Sequence, residues 1–163
     1  MTDAPDQAAP HVDAEAEPFV DGYLLYLLAA ASERASRQFH AQIRKRGVRV
    51  PDWRVLATLV DRDGMILTEL AVIALLEQSR MTRVIDQMET RGLVRRQTDE
   101  ADRRRVNISL TEPGRALARD LVAEARAHEF RVLSALTGTD AARIKPVLQT
   151  MLRTLNETPS SRE

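Results

Sequence analysis

Apolar positions recur along the chain at two different periods, and the change of period divides it into segments. From Phe19 onward, Val20, Tyr23, Leu24, Leu27, Leu28, Ala31, Ala35, Phe39 and Ile43 follow mostly at steps of three and four, the spacing of one face of a helix. This predicts one long helix ended by Gly47. Leu25 and Tyr26 fall between those positions, so its first half is apolar on more than one stripe and needs more than one packing partner; a subunit interface would supply one. Pro51 and Asp52 open a second predicted helix, with Trp53, Leu56, Leu59 and Val60 inward and the turn Asp63-Gly64 after it. Thr68 is the expected N-cap of a short third helix from Glu69 to about Leu75. A turn over Leu76 to Gln78 leads into a fourth, Ser79 to Arg91, with Met81, Val84, Ile85 and Met88 inward and Gly92 at its end.

Beyond Gly92 the pattern is no longer helical. Leu93 to Thr98 and Arg105 to Leu110 are six-residue runs, and Val106, Ile108 and Leu110 alternate with Asn107 and Ser109, which predicts a hairpin with residues 99–104 as its loop. Thr111 is placed to cap a fifth helix, carrying Leu117, Leu121, Val122, Ala125, Val132 and Leu133 until Gly138. Thr139 would cap a sixth, with Ile144, Val147, Leu148, Met151, Leu152 and Leu155 inward and Pro146 as a point of kinking or delay. The first 17 residues show no apolar periodicity and read as a mobile acidic tail.

Two short helices joined by a tight turn and followed by a charged hairpin make a winged helix-turn-helix. The expected fold is mainly α, with a small β-hairpin wing and dimerisation helices flanking it on the N- and C-terminal sides. The expected boundaries are an acidic tail over 1–17, a dimerisation helix over 18–48, the winged helix-turn-helix over 49–111, further dimerisation helices over 112–156 and a tail over 157–163. The geometry suits double-stranded DNA: the second helix of the pair fits the major groove and the wing reaches the neighbouring minor groove. On that helix Gln78, Ser79, Arg80, Thr82 and Arg83 form the polar face near the N-terminus, where side chains meet base edges and the helix dipole favours phosphate. The wing supplies Asp102, Arg103, Arg104 and Arg105, and guanidinium groups are attracted by the potential of a narrow minor groove.

Charge supports this placement. The chain of 163 residues has 24 cationic and 24 anionic side chains, yet residues 1–21 carry six acids and no cation, whereas Arg80 to Arg105 holds eight Arg against five acids. Such asymmetry is a mild footprint of a nucleic-acid surface. The absence of Cys excludes disulfides, thiolate nucleophiles and Cys-ligated zinc. His11, His40 and His128 lie far apart without metal-ligand spacing, and there is neither a Gly-rich phosphate loop nor a nucleophile elbow, so the expectation is no catalysis, no metal and no cofactor. The longest apolar run, Tyr23 to Ala31, is far below the roughly 18 residues of a membrane span, and no basic residue precedes Arg34, unlike the start of a signal peptide. A cytoplasmic protein is expected.

The stretches VPDWRVLATL, LTELA and TRVIDQMETRGLVRRQTDEADRRRVNISLTEPGRAL resemble the MarR family of bacterial transcriptional regulators, over about residues 19 to 155. The resemblance implies a homodimer with intertwined terminal helices, usually a repressor, in which Asp102 and Arg104 match the Asp-x-Arg of the family wing: Arg104 enters the minor groove and Asp102 braces the wing. It also implies release from DNA by small aromatic ligands, often phenolic or carboxylated. Tyr23, His40, Arg44 and Trp53 are the candidates to hold such an effector, and a cationic Arg44 beside a protonatable His40 points to a hydroxylated aromatic carboxylate. Each has a plainer reading, Trp53 and Tyr23 in a core or interface and His40 and Arg44 at the surface. The turn before the fourth helix departs from the family: Leu75 and Glu77 stand where a small residue or Gly and a Ser cap are usual. A winged-helix dimer serving as a protein-interaction or architectural module, without an effector, stands as the alternative.

Overall fold

The computed structural model describes residues 18–98, 105–136 and 140–157. They fall into two compact units, one up to Arg37 and one from Gln38 onward. In the first, α1 (Phe19–Gly22) ends at Tyr23, whose backbone is extended, before α2 (Leu24–Lys45) begins. The expected single helix from Phe19 is therefore broken at Tyr23. The Phe19 and Tyr23 rings stack at 4.9 Å, and Phe19, Val20, Leu24, Leu25, Tyr26 and Leu27 are exposed.

The second unit contains the end of α2, then α3 (Val50–Leu59), β1 (Met65–Ile66), α4 (Leu67–Ile73), α5 (Gln78–Thr90), β2 (Val94–Thr98), β3 (Val106–Leu110), α6 (Glu112–Ser134) and α7 (Asp140–Glu157). Its core gathers the apolar faces of five helices and the sheet: Phe39 and Ile43, Val55, Leu56 and Leu59, Leu70, Met81, Ile85 and Met88, Ile108 and Leu110, and Ala118 and Leu121. Pro51 sits in the first turn of α3, where its missing N–H costs nothing. The strands form an antiparallel sheet in the order β1-β3-β2, with Met65 opposite Ile108 and Arg96 opposite Ile108 on the other side. The two-residue strand β1 was not foreseen, being too short to show a period. With β3 central, Ser109 is buried although it lies on the polar side of the alternation, and Val106, expected inward, is exposed at the loop end of the hairpin.

Helix ends follow local chemistry in most places. Gly47 and Gly92 take the left-handed conformation, and in each the next residue's N–H reaches back five residues: Val48 to the Ile43 carbonyl at 3.0 Å and Leu93 to the Met88 carbonyl at 2.9 Å. The Thr111 hydroxyl accepts from the Gly114 N–H at 3.1 Å and donates to the Gly92 carbonyl, so the cap of α6 also fastens it to the end of α5. Thr68 is not the cap of α4; Ile66 holds that position with no side-chain hydrogen bond. The pairing of β1 carries the chain straight into the helix two residues earlier. Pro146 lies inside α7 without ending it. Residues 99–104 of the wing, Gly138, Thr139 and the two tails expected at 1–17 and 157–163 lie outside the described residues, apart from Glu157 at the end of α7. No helix among the described residues is long and apolar enough to cross a membrane.

Gly114 shows why α6 starts with Glu-Pro-Gly. A Cβ at this buried position would fall inside the van der Waals envelope of the Leu93 backbone carbonyl, an atom the β2 connection cannot move cheaply. Gly114→Ala is expected to destabilise the fold by about 2–3 kcal/mol, measured by urea unfolding, while Gly22→Ala, with open space around its Cβ, changes it little.

Candidate nucleic-acid interface

α5 is amphipathic in a way that fixes its outer face. Met81, Val84, Ile85 and Met88 are buried, and their spacing turns Gln78, Ser79, Arg80, Thr82 and Arg83 to solvent, all five exposed. Among the described residues Arg80 and Arg83 have no ion pair, so their guanidinium groups are available to phosphate and base edges. The Thr82 hydroxyl donates to the Gln78 carbonyl at 3.2 Å. Together with Arg44 and Arg49, Arg80 and Arg83 line a groove of about 480 Å³ whose floor includes Pro51 and Val84. Arg105, exposed at the start of β3, belongs to the wing; Asp102, Arg103 and Arg104 lie outside the described residues.

What holds α5 in place is ionic, and sequence reasoning did not find it. Asp52, expected only to open α3, is fully buried. Its carboxylate accepts from Arg49 Nε at 3.1 Å and Arg49 Nη2 at 2.7 Å, and from Arg91 Nη1 at 2.7 Å. Arg91 also donates to the Gly47 carbonyl at 3.1 Å, and Arg49 donates to Gln87 on α5. The cluster therefore joins the end of α2, the start of α3 and the last turns of α5. The hydrogen bond to Asp52, assisted by its charge and opposed by desolvation, keeps the Arg49 pKa above its ordinary value. The signals in the sequence were an Arg three residues before an acid in a first helical turn and an Arg next to the closing glycine of α5, neither specific alone.

A second ionic contact fastens the wing. Arg96 on β2 pairs with Asp86 and Glu89 of α5, and its backbone N–H donates to Glu89 at 3.1 Å. Burial works to lower the Arg96 pKa, but hydrogen bonds to Asp86 and Glu89 outweigh it and the pKa is raised. At the far end of the sheet, Asp63 accepts from the Leu110 N–H at 2.8 Å and pairs with Arg115 of α6.

Two of the four effector candidates, Trp53 and His40, come together around Phe39. The Trp53 ring meets Phe39 edge-on at 5.1 Å, His40 lies at 6.4 Å and His128 stacks at 5.8 Å. Trp53 is partly buried against the core, the plainer of its two readings, and Arg44 is exposed. Tyr23 belongs to the other unit. His40 is half-buried, and desolvation followed by the neighbouring Arg44, Arg54 and His128 holds its pKa below the ordinary value.

A family model described as the MarR family matches residues 49–106. A MarR family transcriptional regulator from Silicibacter pomeroyi DSS-3 is 63% identical, with a TM-score of 0.79 over 85% of this chain and 99% of the neighbour. The HTH-type transcriptional repressor Rv2887 of Mycobacterium tuberculosis is 31% identical over 78% of this chain and 90% of its own length. Its structure in complex with p-aminosalicylic acid superposes with a TM-score of 0.66 over 79% of this chain and 98% of that one, at 29% identity. BpsR of Bordetella bronchiseptica, whose structure concerns regulation of DNA binding by 6-hydroxynicotinic acid, is 26% identical, with a TM-score of 0.71 over 80% of this chain and 94% of the neighbour.

The lowered pKa of His40 has a consequence for stability. The unfolded chain binds the proton more tightly than the folded one, so the contribution is fully present above the ordinary histidine pKa of about 6.5 and is lost as the pH falls below it. The unfolding temperature is expected to drop between about pH 7.5 and pH 5.5, and to drop less in His40→Gln; parallel curves for the two proteins would remove His40 from the effect.

Proposed function

The chain belongs to the MarR family of DNA-binding transcriptional regulators, and we propose that it acts as a homodimeric repressor, bound to a pseudo-palindromic operator and released by a small hydroxylated aromatic carboxylate. The observation that carries the reading is α5, whose cationic and hydroxyl-bearing face is exposed while its apolar face and last turns are locked to the rest of the unit. Inserted in the major groove, that helix would use Arg80 and Arg83 on guanine edges or phosphates, with Gln78, Ser79 and Thr82 beside them. Arg103, Arg104 and Arg105 would follow the minor groove, with Asp102 bracing the wing. Acting on chromosomal DNA, such a protein would work in the cytoplasm.

Two surfaces support the dimer. α7 has no buried residue, and its Val147, Leu152 and Leu155 are each about 60% exposed; Phe19 and Leu24 to Leu27 in the first unit are also exposed. Apolar surface of this extent is stable in water only when covered. Two copies would present two α5 helices to half-sites about one helical turn apart, roughly 10 bp.

The effector class draws support from Rv2887 and BpsR, whose structures concern a hydroxylated, amino-substituted benzoate and a hydroxylated pyridine carboxylate. In this chain Arg44 offers the cation, Trp53 an aromatic surface and His40 an imidazole. Arg44 also lines the cationic groove shared with Arg80 and Arg83, so a carboxylate held there would oppose phosphate binding. Release would be a shift of population toward an arrangement of α5 helices that no longer matches the operator.

The test is a binding titration on duplexes from upstream of the protein's own gene. Two chains per duplex are expected. Arg80→Ala should cost about 1–3 kcal/mol and relax preference at particular base pairs, whereas Arg104→Ala should weaken binding broadly. Salicylate-type and hydroxypyridine carboxylates should release the DNA, and Arg44→Ala should blunt that release. A stable monomer at micromolar concentration, or DNA binding indifferent to all such acids at millimolar concentration, contradicts the corresponding part.

A further inference from the structure

The connection between α4 and α5 sets a backbone against its side chain. α4 ends with Leu75 N–H donating to the Val72 carbonyl at 3.2 Å and Leu76 N–H to the Ala71 carbonyl at 2.9 Å, the same closure that glycine provides after α2 and α5. Here the residue in the left-handed position is Leu75, at φ 55, the only non-glycine with positive φ among the described residues. Glycine would adopt that conformation without the clash between Cβ and the following carbonyl. Burial of the side chain does not offset the strain, because Leu75 is 75% exposed. The turn is held through its backbone instead, with Arg54 donating to the Leu75 carbonyl at 3.3 Å. Val72 is equally exposed and Ile73 nearly half so, so the end of α4 and the turn carry a short apolar strip.

Its place in the fold indicates what covers it. Leu75 stands three residues before Gln78, the first residue of α5, at the end of the helix that enters the major groove in this architecture. Along the chain the strip leads directly into the exposed residues Gln78 to Arg83. The apolar feature that B-form DNA presents in that groove is the 5-methyl group of thymine. We infer that Leu75, with Val72 beside it, reads thymine methyl groups in the major groove, a specificity-determining contact that rests on the DNA-binding function proposed above. Backbone strain retained under an exposed apolar side chain is the pattern of a residue kept for contact, with the cost carried by the surrounding structure.

The full-length protein is first offered a pool of random duplexes, and the best-bound sequence is then remade with each thymine replaced in turn by deoxyuridine, which removes only the methyl group. Wild-type protein should lose about fourfold in affinity at one thymine per half-site, the worth of one buried methyl-sized group. Leu75→Gly should bind the parent duplex without that sensitivity while unfolding at no lower temperature than wild type. Leu75→Asn, which tolerates the left-handed conformation, should match it on DNA. A wild-type protein indifferent to every replacement, or variants with an unchanged deoxyuridine profile, overturns the inference and leaves DNA binding standing. If the pool yields no enriched duplex at all, the DNA-binding function fails and the inference fails with it.

Discussion

A single buried carboxylate sets the pose of the DNA-facing helix. Removing Asp52 from water is costly unless its charge is matched and its oxygens are bonded. The three donors from Arg49 and Arg91 meet both conditions. Because Arg91 closes α5, Arg49 precedes α3 and Gly47 ends α2, compensating the charge brings those three places together. Hydrophobic contact among Leu56, Ile85, Met88 and Ile43 supplies cohesion but little direction, since apolar surfaces tolerate sliding and rotation. The ion cluster restricts that freedom at the C-terminal end of α5 and leaves the exposed side chains at its N-terminus out of the cluster.

The wing and α6 are attached to this frame by contacts of the same kind. Arg96 ties β2 to the flank of α5 through Asp86 and Glu89. Arg80 and Arg83, by contrast, are left unpaired among the described residues. The acids on α5 thus sit where they brace β2 and the unpaired cations toward the start of the helix, a division that follows position along it. Asp63, Thr111 and Gly114 then fix α6 against the sheet.

Much of this was legible in the sequence, and what was not has physical reasons. The apolar faces of α3, α5 and α6 follow from helical spacing, and Gly92 and Thr111 mark ends because they alone in their neighbourhoods satisfy the backbone there. The exposed set Gln78 to Arg83 follows from the buried set by rotation about the same axis. The break at Tyr23 did not show, because an extended residue between two helical turns leaves the apolar spacing almost unchanged. Thr68 misled because its hydroxyl has capping chemistry while the pairing of β1 decides where α4 begins. Asp52 escaped because a buried acid and a surface acid look alike until the partners 3 and 39 residues away are brought beside it. Leu75 was visible as a departure from the family pattern, but its left-handed backbone could be seen only in the folded chain.

The central claim is that the Asp52 cluster, and not apolar packing alone, orients α5 for DNA. It is tested most directly by a double-mutant cycle on DNA affinity with Asp52→Asn, Arg91→Met and the two combined, under conditions where all four proteins are folded. If the cluster orients the helix, each single change weakens binding and the double change adds little, giving a coupling of about 1–3 kcal/mol. Effects that add within about 0.5 kcal/mol, or single variants that bind as wild type does, would contradict the account.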